Sequence, residues 1–233
     1  MKFRTYSHRY GIEIISTDSR YNEPYRNLLK IIESITDQEI INRFQHRKYV
    51  DMKSDTSISH VINGIFKEKL RAAGWHSESR IFKEKVYSKG ATDWRLDFTY
   101  NHIYSLEIAF NHASATCVNL LKPVLASELN HVEKEFKTEL GLIITATDEL
   151  KKKGRFDNAI GSFEGYTLQC IPMMNQLTVP MVIIGLEAPE TFELVRIKEG
   201  QRNIGHIKLL SQDRVLDAEH YDNEGKLVKM LLY

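Results

Sequence analysis

The stretch TDWRLDFTYNHIYSLEIAFNH, residues 92–112, alternates apolar and polar side chains on both sides of a polar Asn101-His102 pair. Trp94, Leu96, Phe98 and Tyr100 share one parity, and Tyr104, Leu106, Ile108 and Phe110 share one beyond the break. A period of two marks β-strands, because successive side chains leave a strand on opposite faces. The stretch therefore reads as a hairpin. With the apolar parities turned to a core, Arg95, Asp97 and Thr99 on one strand and Ser105, Glu107, Ala109 and Asn111 on the other point the opposite way. A turn centred on His102 then sets Asp97 across from Glu107, with Cβ atoms about 4.5–5.5 Å apart. Two carboxylates that close repel unless a cation or a shared proton joins them. Magnesium, which takes one or two protein carboxylates plus water and phosphate oxygens, is the economical partner. A strand face that merely carries two exposed acids is the alternative.

Upstream, GIEIIST (11–17) reads as a short strand. YRNLLKIIESI (25–35) places Leu28, Leu29, Ile31, Ile32 and Ile35 on one helical face, and a second helix starts at Asp37. A third, from an N-cap at Ser57 or Ser59 to Ala73, stops at Gly74. Downstream, a long helix is expected from about Val118 to Leu140, with Pro123 tolerable in its first turn or at a kink. LGLIITAT (140–147) and VPMVIIGLEAP (179–189) read as strands buried on both faces. The last forty residues read as further strands with a turn at 223–225. Residues 1–233 are expected to form one domain, with about 190–233 as a small C-terminal β subregion.

The bulk composition narrows the function classes. With 32 basic against 31 acidic residues the net charge is +1, so a polyanion partner needs a local basic surface. No apolar run approaches the roughly 18 residues of a membrane span, and the opening residues lack a secretory signal pattern, so the expected place is the cytoplasm, with no membrane partner. Cys117 and Cys170 form no metal knuckle and read as packing residues. GxSxG, Walker, GxGxxG and HExxH motifs are absent, which leaves an unrelated α/β hydrolase without support.

The segments YSHRYGIEII, INGIFKEKLRAAGWHSE, LDFTYNHIYSLEIAF, GSFEGY and VPMVIIGLEAP, in that order, resemble the BglII and BstYI group of type II restriction endonucleases. The resemblance spans nearly the whole chain. It implies the PD-(D/E)xK nuclease fold, an α/β (α+β) restriction-endonuclease-like core whose central mixed sheet is flanked by helices. It also implies Mg2+-dependent hydrolysis of double-stranded DNA at a short palindromic, GATC-centred site by a homodimer. Asp97 matches the first acid and Glu107 the second, and these two with the Ile108 carbonyl would hold the metal. The group carries glutamine two residues after the second acid, and the wider superfamily mostly lysine; this chain has Ala109.

Three explanations of Ala109 are open: a substitution that stops cleavage, a neighbour that takes over the role, or a protein that binds without cutting. Glu68 matches in sequence position the acid that related nucleases bring near the metal; a solvated helix glutamate is the alternative. His112 is a second candidate base. By resemblance, Asn111 and His112 fall where the group meets bases, and asparagine can pair bidentately with adenine. The segment KKKGRFDNAIGSFEGY (151–166) aligns with a base-reading loop. There Lys151, Lys152, Lys153 and Arg155 would meet phosphates, while Asp157, Asn158 and Ser162 would meet base edges. Arg80, Lys83, Lys85 and Lys89 are either further phosphate contacts or the guard of an edge strand. The helix from Val118 offers Leu121, Val124, Leu125, Leu129, Val132 and Phe136 either to a twin or to its own domain.

Overall fold

The computed structural model describes residues 1–87, 94–128, 131–211 and 214–216. The hairpin forms as read: β3 (Arg95–Tyr100) pairs antiparallel with β4 (Tyr104–Ile108), Phe98 opposite Leu106 and Tyr100 opposite Tyr104. Asn101 and His102 both hold positive φ, 45° and 55°, which the tight turn between right-twisted strands requires. β4 runs parallel to β5 (Leu140–Ala146), and β5 parallel to β6 (Met181–Leu186). β1 (Phe3–His8) closes one edge antiparallel to β6, and β2 (His76–Arg80) closes the other antiparallel to β3. The result is a six-stranded mixed sheet, β1-β6-β5-β4-β3-β2, flanked by helices.

Both faces of the central strands are covered, and their residues sort by parity. Leu106, Leu142, Ile144, Val182 and Ile184 join one core with α2 (Ser19–Glu33), α3 (Asp37–Tyr49) and α4 (Ser59–Ala72). Ala109, Ile143 and Ile183 join a second with Leu120 of α5 (Thr116–Ser127) and Phe163 and Tyr166 of α7 (Phe163–Cys170). α6 (Asp148–Lys153) follows β5. β7 (Phe192–Glu199), β8 (Arg202–Leu209) and β9 (Arg214–Val215) form a separate three-stranded sheet. Its Phe192, Leu194, Ile207 and Leu209 belong to the first core. The turn expected at 223–225 lies outside the described residues.

Three expectations are corrected. GIEIIST is α1 (Gly11–Thr17), a helix and not a strand. Ile12, Ile14 and Ile15 satisfy both periods, and packing decides: Ile15 is buried, and Gly11 lies so close to β6 that a Cβ there would meet the Met181 carbonyl oxygen at 2.4 Å. The long helix ends at Ser127, where Glu128 turns extended. Residues 133–135 instead pair with the chain beyond β2, Lys83 N–H donating to the Glu133 carbonyl and Glu135 N–H to that of Ile81. Val132 and Phe136 thus leave the helix, and Leu129 lies outside the described residues. Cys117 is exposed rather than packed; Cys170 is buried.

Candidate active site

Asp97 and Glu107 meet between β3 and β4. Their carboxylates are bound into the hairpin crosswise: Ile108 N–H donates to Asp97 Oδ2 at 2.8 Å, and Asp97 N–H donates to Glu107 Oε1 at 3.2 Å. Glu107 is 2% exposed. Burial, then the Asp97 charge, pushes its carboxyl up to about 8. Asp97 is also raised, first by burial and with Glu78 adding to it, while the Ile108 N–H and Lys122 oppose the shift. Carboxyls raised in this way hold their protons more tightly unless a cation stands beside them.

Sequence reasoning missed the cation that is present. Lys122 Nζ, from the second turn of α5, donates to Glu107 Oε2 at 2.6 Å. Fifteen residues separate the two, and only the passage of α5 across β4 and β5 brings them together. A lone lysine inside the apolar run CVNLLKPVLA, on the helix that follows the second acid, was the available signal. α5 sits low because Gly141 leaves room: a Cβ there would meet the Pro123 Cβ at 2.7 Å.

One lysine does not neutralise two carboxylates, so the donor set still suits a hard divalent ion. No group of three or more His, Cys, Asp or Glu residues converges on a common centre among the described residues. An ion here would rely on Asp97, Glu107, the Ile108 carbonyl and non-protein oxygens, within magnesium's usual habit.

The other nominated residues fall into four groups. Ala109 follows Glu107 on the chain but is sealed, 1% exposed, against Leu120, Ile143, Phe163 and Tyr166. Glu68 is exposed on α4 and ion-paired to Arg43 at 2.7 Å; the structure does not bring it to the acids. Ser162 is buried as the N-cap of α7, its hydroxyl accepting from Gly165 N–H, so it is a helix-capping group rather than an exposed reader.

Asn111, His112 and the 155–160 segment, by contrast, are drawn together. His112 forms an antiparallel bridge with Ile160, Ala113 N–H donates to the Ala159 carbonyl at 2.6 Å, and Gly161 N–H to that of Asn111 at 3.3 Å. His112 Nδ1 accepts from Ser114 N–H, and Asn111 Oδ1 accepts from Asn119, a buried residue that also donates to the Tyr166 hydroxyl. Asp157 accepts from Ala159 N–H and shapes the loop. Lys152, Arg155, Asp157 and Asn158 are exposed, Arg155 with φ 52° and its Nε on the Leu194 carbonyl. Lys151 is absorbed in bracing the loop through the Ile160 carbonyl, and Lys153 pairs with Glu149. Of the edge-strand bases, Arg80 is exposed, Lys83 pairs with Glu133, and Lys89 lies outside the described residues. No helix among the described residues is long and apolar enough to cross a membrane.

Comparison with known proteins agrees with this architecture. The family model described as restriction endonuclease BglII/BglIII matches residues 3–186. Curated proteins give no match. Among solved structures, the crystal structure of restriction endonuclease BglII complexed with a DNA 16-mer is similar at a TM-score of 0.60 and 15% identity, covering 92% of this chain and 98% of that one. Free BglII is similar at 0.50 and 13%, covering 93% and 99%. At such identities the likeness speaks to the fold, whereas the family model speaks to descent: the chain belongs to the BglII restriction endonuclease family.

Proposed function

We propose that this protein is a Mg2+-dependent type II endonuclease that cuts both strands of duplex DNA at a short palindromic site as a homodimer. The observation that carries the reading is the pair of half-buried Asp97 and buried Glu107, one strand-end away from exposed Asn111, His112, Arg155, Asp157 and Asn158, whose segments the backbone binds together. Asp97, Glu107 and the Ile108 carbonyl are the residues that would hold the metal. When bound, it would polarise the scissile phosphate and make an attacking water more acidic. The crosswise hydrogen bonds restrain both carboxylates within the hairpin. Lys152, Arg155 and, on the far edge, Arg80 supply phosphate contacts, which position the duplex; Asn111, His112, Asp157 and Asn158 offer the donors and acceptors that specify bases.

A palindrome is read by matching two-fold symmetry in the protein. The helix offered either to a twin or to its own domain packs Leu121, Val124 and Leu125, partly buried, against its own domain. The apolar surface left over lies beside it: Leu168 of α7 is 67% exposed and Ile171 63%, with Val118 and Met174 also exposed. Cys117 Sγ lies 3.3 Å from Gln169 Oε1, so the start of α5 and the end of α7 form one continuous surface. We assign the dimer contact to it.

The decisive experiment is incubation of plasmid DNA and GATC-containing duplexes with Mg2+ or with EDTA, alongside gel shifts in Ca2+ over a range of salt. Discrete Mg2+-dependent fragments support the reading. Salt-sensitive, sequence-selective binding without cleavage would instead support a silent DNA-binding member of the family, the reading that Ala109 favours. Absence of both defeats the nuclease assignment.

A further inference from the structure

Position 109 is buried in an apolar cluster. The alanine is sealed by Leu120, Ile143, Phe163 and Tyr166, its N–H donates to the Ile144 carbonyl, and its carbonyl accepts from the Thr145 hydroxyl. A glutamine or lysine side chain in that place would meet a packed apolar cluster. Cationic assistance is then looked for elsewhere, and among the described residues Lys122 is the cation paired with Glu107. Lys122 reaches Glu107 at 2.6 Å with its side chain 18% exposed, so the lysine that pairs with buried Glu107 keeps some contact with the outside. Glu107 takes one of its three donors. Its approach is fixed by the helix that carries it: Leu120 anchors in the cluster around Ala109, and Pro123 presses on Gly141. Leu120 and Ala109 share one buried cluster, and Lys122, two residues on from Leu120, brings its charge to Glu107.

We propose that Lys122 is the catalytic cation of this site, supplied from α5 in place of a polar residue at 109, and that its ammonium faces a non-bridging oxygen of the scissile phosphate. The inference rests on the nuclease reading above. In the reaction, a water oxygen bonds to phosphorus and the bond from phosphorus to the 3′ oxygen breaks. One water proton passes to solvent, and the departing 3′ oxygen takes one up, leaving a 5′-phosphate and a 3′-hydroxyl. Lys122 acts through its positive charge, neutralising the extra negative charge on the phosphoryl oxygens as the new bond forms. The same ammonium balances Glu107 while no phosphate is present.

The test is a binding cycle that needs no cleavage. Wild type and Lys122→Met are titrated in Ca2+ with a duplex carrying the site that wild type selects, and with the same duplex bearing a neutral methylphosphonate at the scissile position. If Lys122 faces that phosphate, removing its charge weakens wild type, leaves Lys122→Met nearly unaffected, and gives a coupling of roughly tenfold or more. In Mg2+, Lys122→Met should cut at least roughly 100-fold more slowly in single turnover, while Lys122→Arg, which keeps a cation, retains the coupling and part of the rate. Additive effects in the cycle overturn the proposal. So does a Lys122→Met protein that melts lower in EDTA, recovers with Mg2+ and then cuts at the wild-type rate, since that describes a structural counter-ion alone. Wild type that neither cuts nor selects any duplex defeats the nuclease reading itself, whereas wild type that cuts without coupling defeats only the role of Lys122.

Discussion

Asp97 and Glu107 hold each other's strand: the Asp97 carboxylate accepts from the backbone just after Glu107, and the Glu107 carboxylate accepts from the backbone of Asp97. The exchange places two acids side by side at the cost of burying Glu107 and half-burying Asp97. Asp97→Asn keeps an oxygen for the Ile108 N–H but removes a charge that the fold desolvates. We expect its cleavage to fall by at least roughly 100-fold, with an unchanged or higher melting temperature in EDTA. Single-turnover cleavage and thermal unfolding on one preparation check both halves.

The pH dependence of stability has a definite sign. A carboxyl ordinarily near 4.5 that burial raises to about 8 binds its proton more tightly in the folded chain than in the unfolded one. Its contribution to stability is therefore fully present below about 4.5 and is lost as pH rises through about 8. In EDTA, wild type should lose melting temperature between pH 5 and 9 relative to Glu107→Gln, which has no proton to release there. Parallel curves for the two proteins across that range would show that Glu107 is not the responsible group.

The surface of α7 predicts an oligomeric phenotype. Leu168 and Ile171 are exposed and contribute little to their own core, so Leu168→Asp with Ile171→Asp should fold normally. If this surface joins two copies, the double variant sediments as a monomer and cuts its palindrome at least roughly tenfold more slowly, because each subunit alone reads half a site. Sedimentation velocity and melting curves on both proteins distinguish a lost contact from a lost fold.

Gly141 links the packing of the sheet to the chemistry. A methyl group there would meet both Met181 Cγ and Pro123 Cβ at 2.7 Å, so the Pro123 side of α5 is pushed as hard as Met181. Gly141→Ala should cost about 1–3 kcal/mol of stability and lift α5, carrying Lys122 away from Glu107. Denaturant unfolding measures the first effect; the second is read as cleavage below that of wild type at a temperature where both proteins are fully folded.

What the sequence displayed and what it concealed follow from the range of the interactions involved. The hairpin was legible because an alternating pattern, a polar break and a tight turn lie within twenty residues, and β5 and β6 were legible as apolar runs. From that register came the opposition of Asp97 and Glu107. β1 was not legible, since FRTYSH lacks a clean period and becomes a strand by pairing with β6, far along the chain. The end of α5 was concealed for the same reason: 131–136 has helical composition, yet 133–135 pairs with the chain beyond β2. Lys122 depends on how a helix crosses a sheet, which no local pattern encodes. The partners of Ser162 and Glu68, a helix end and Arg43, are likewise properties of the folded chain.

Asn119 offers the last test, because it joins the buried core to the exposed reading surface. Its amide donates to the Tyr166 hydroxyl at 2.7 Å and to Asn111 Oδ1 at 2.9 Å, so the orientation of an exposed asparagine is set by a buried one. Asn119→Ala removes both bonds and leaves polar atoms short of a partner, at about 1–3 kcal/mol. If Asn111 reads a base, its loosened amide should lower discrimination at one base pair of the site by roughly tenfold, within the value of a bidentate base contact. Asn111→Ala should relax the same base pair, and the double variant should discriminate no worse than Asn111→Ala alone, since both changes act through one contact. Cleavage of the cognate site against its single-base variants measures this; equal losses at every base pair would mean that Asn119 supports the fold and not the reading of sequence.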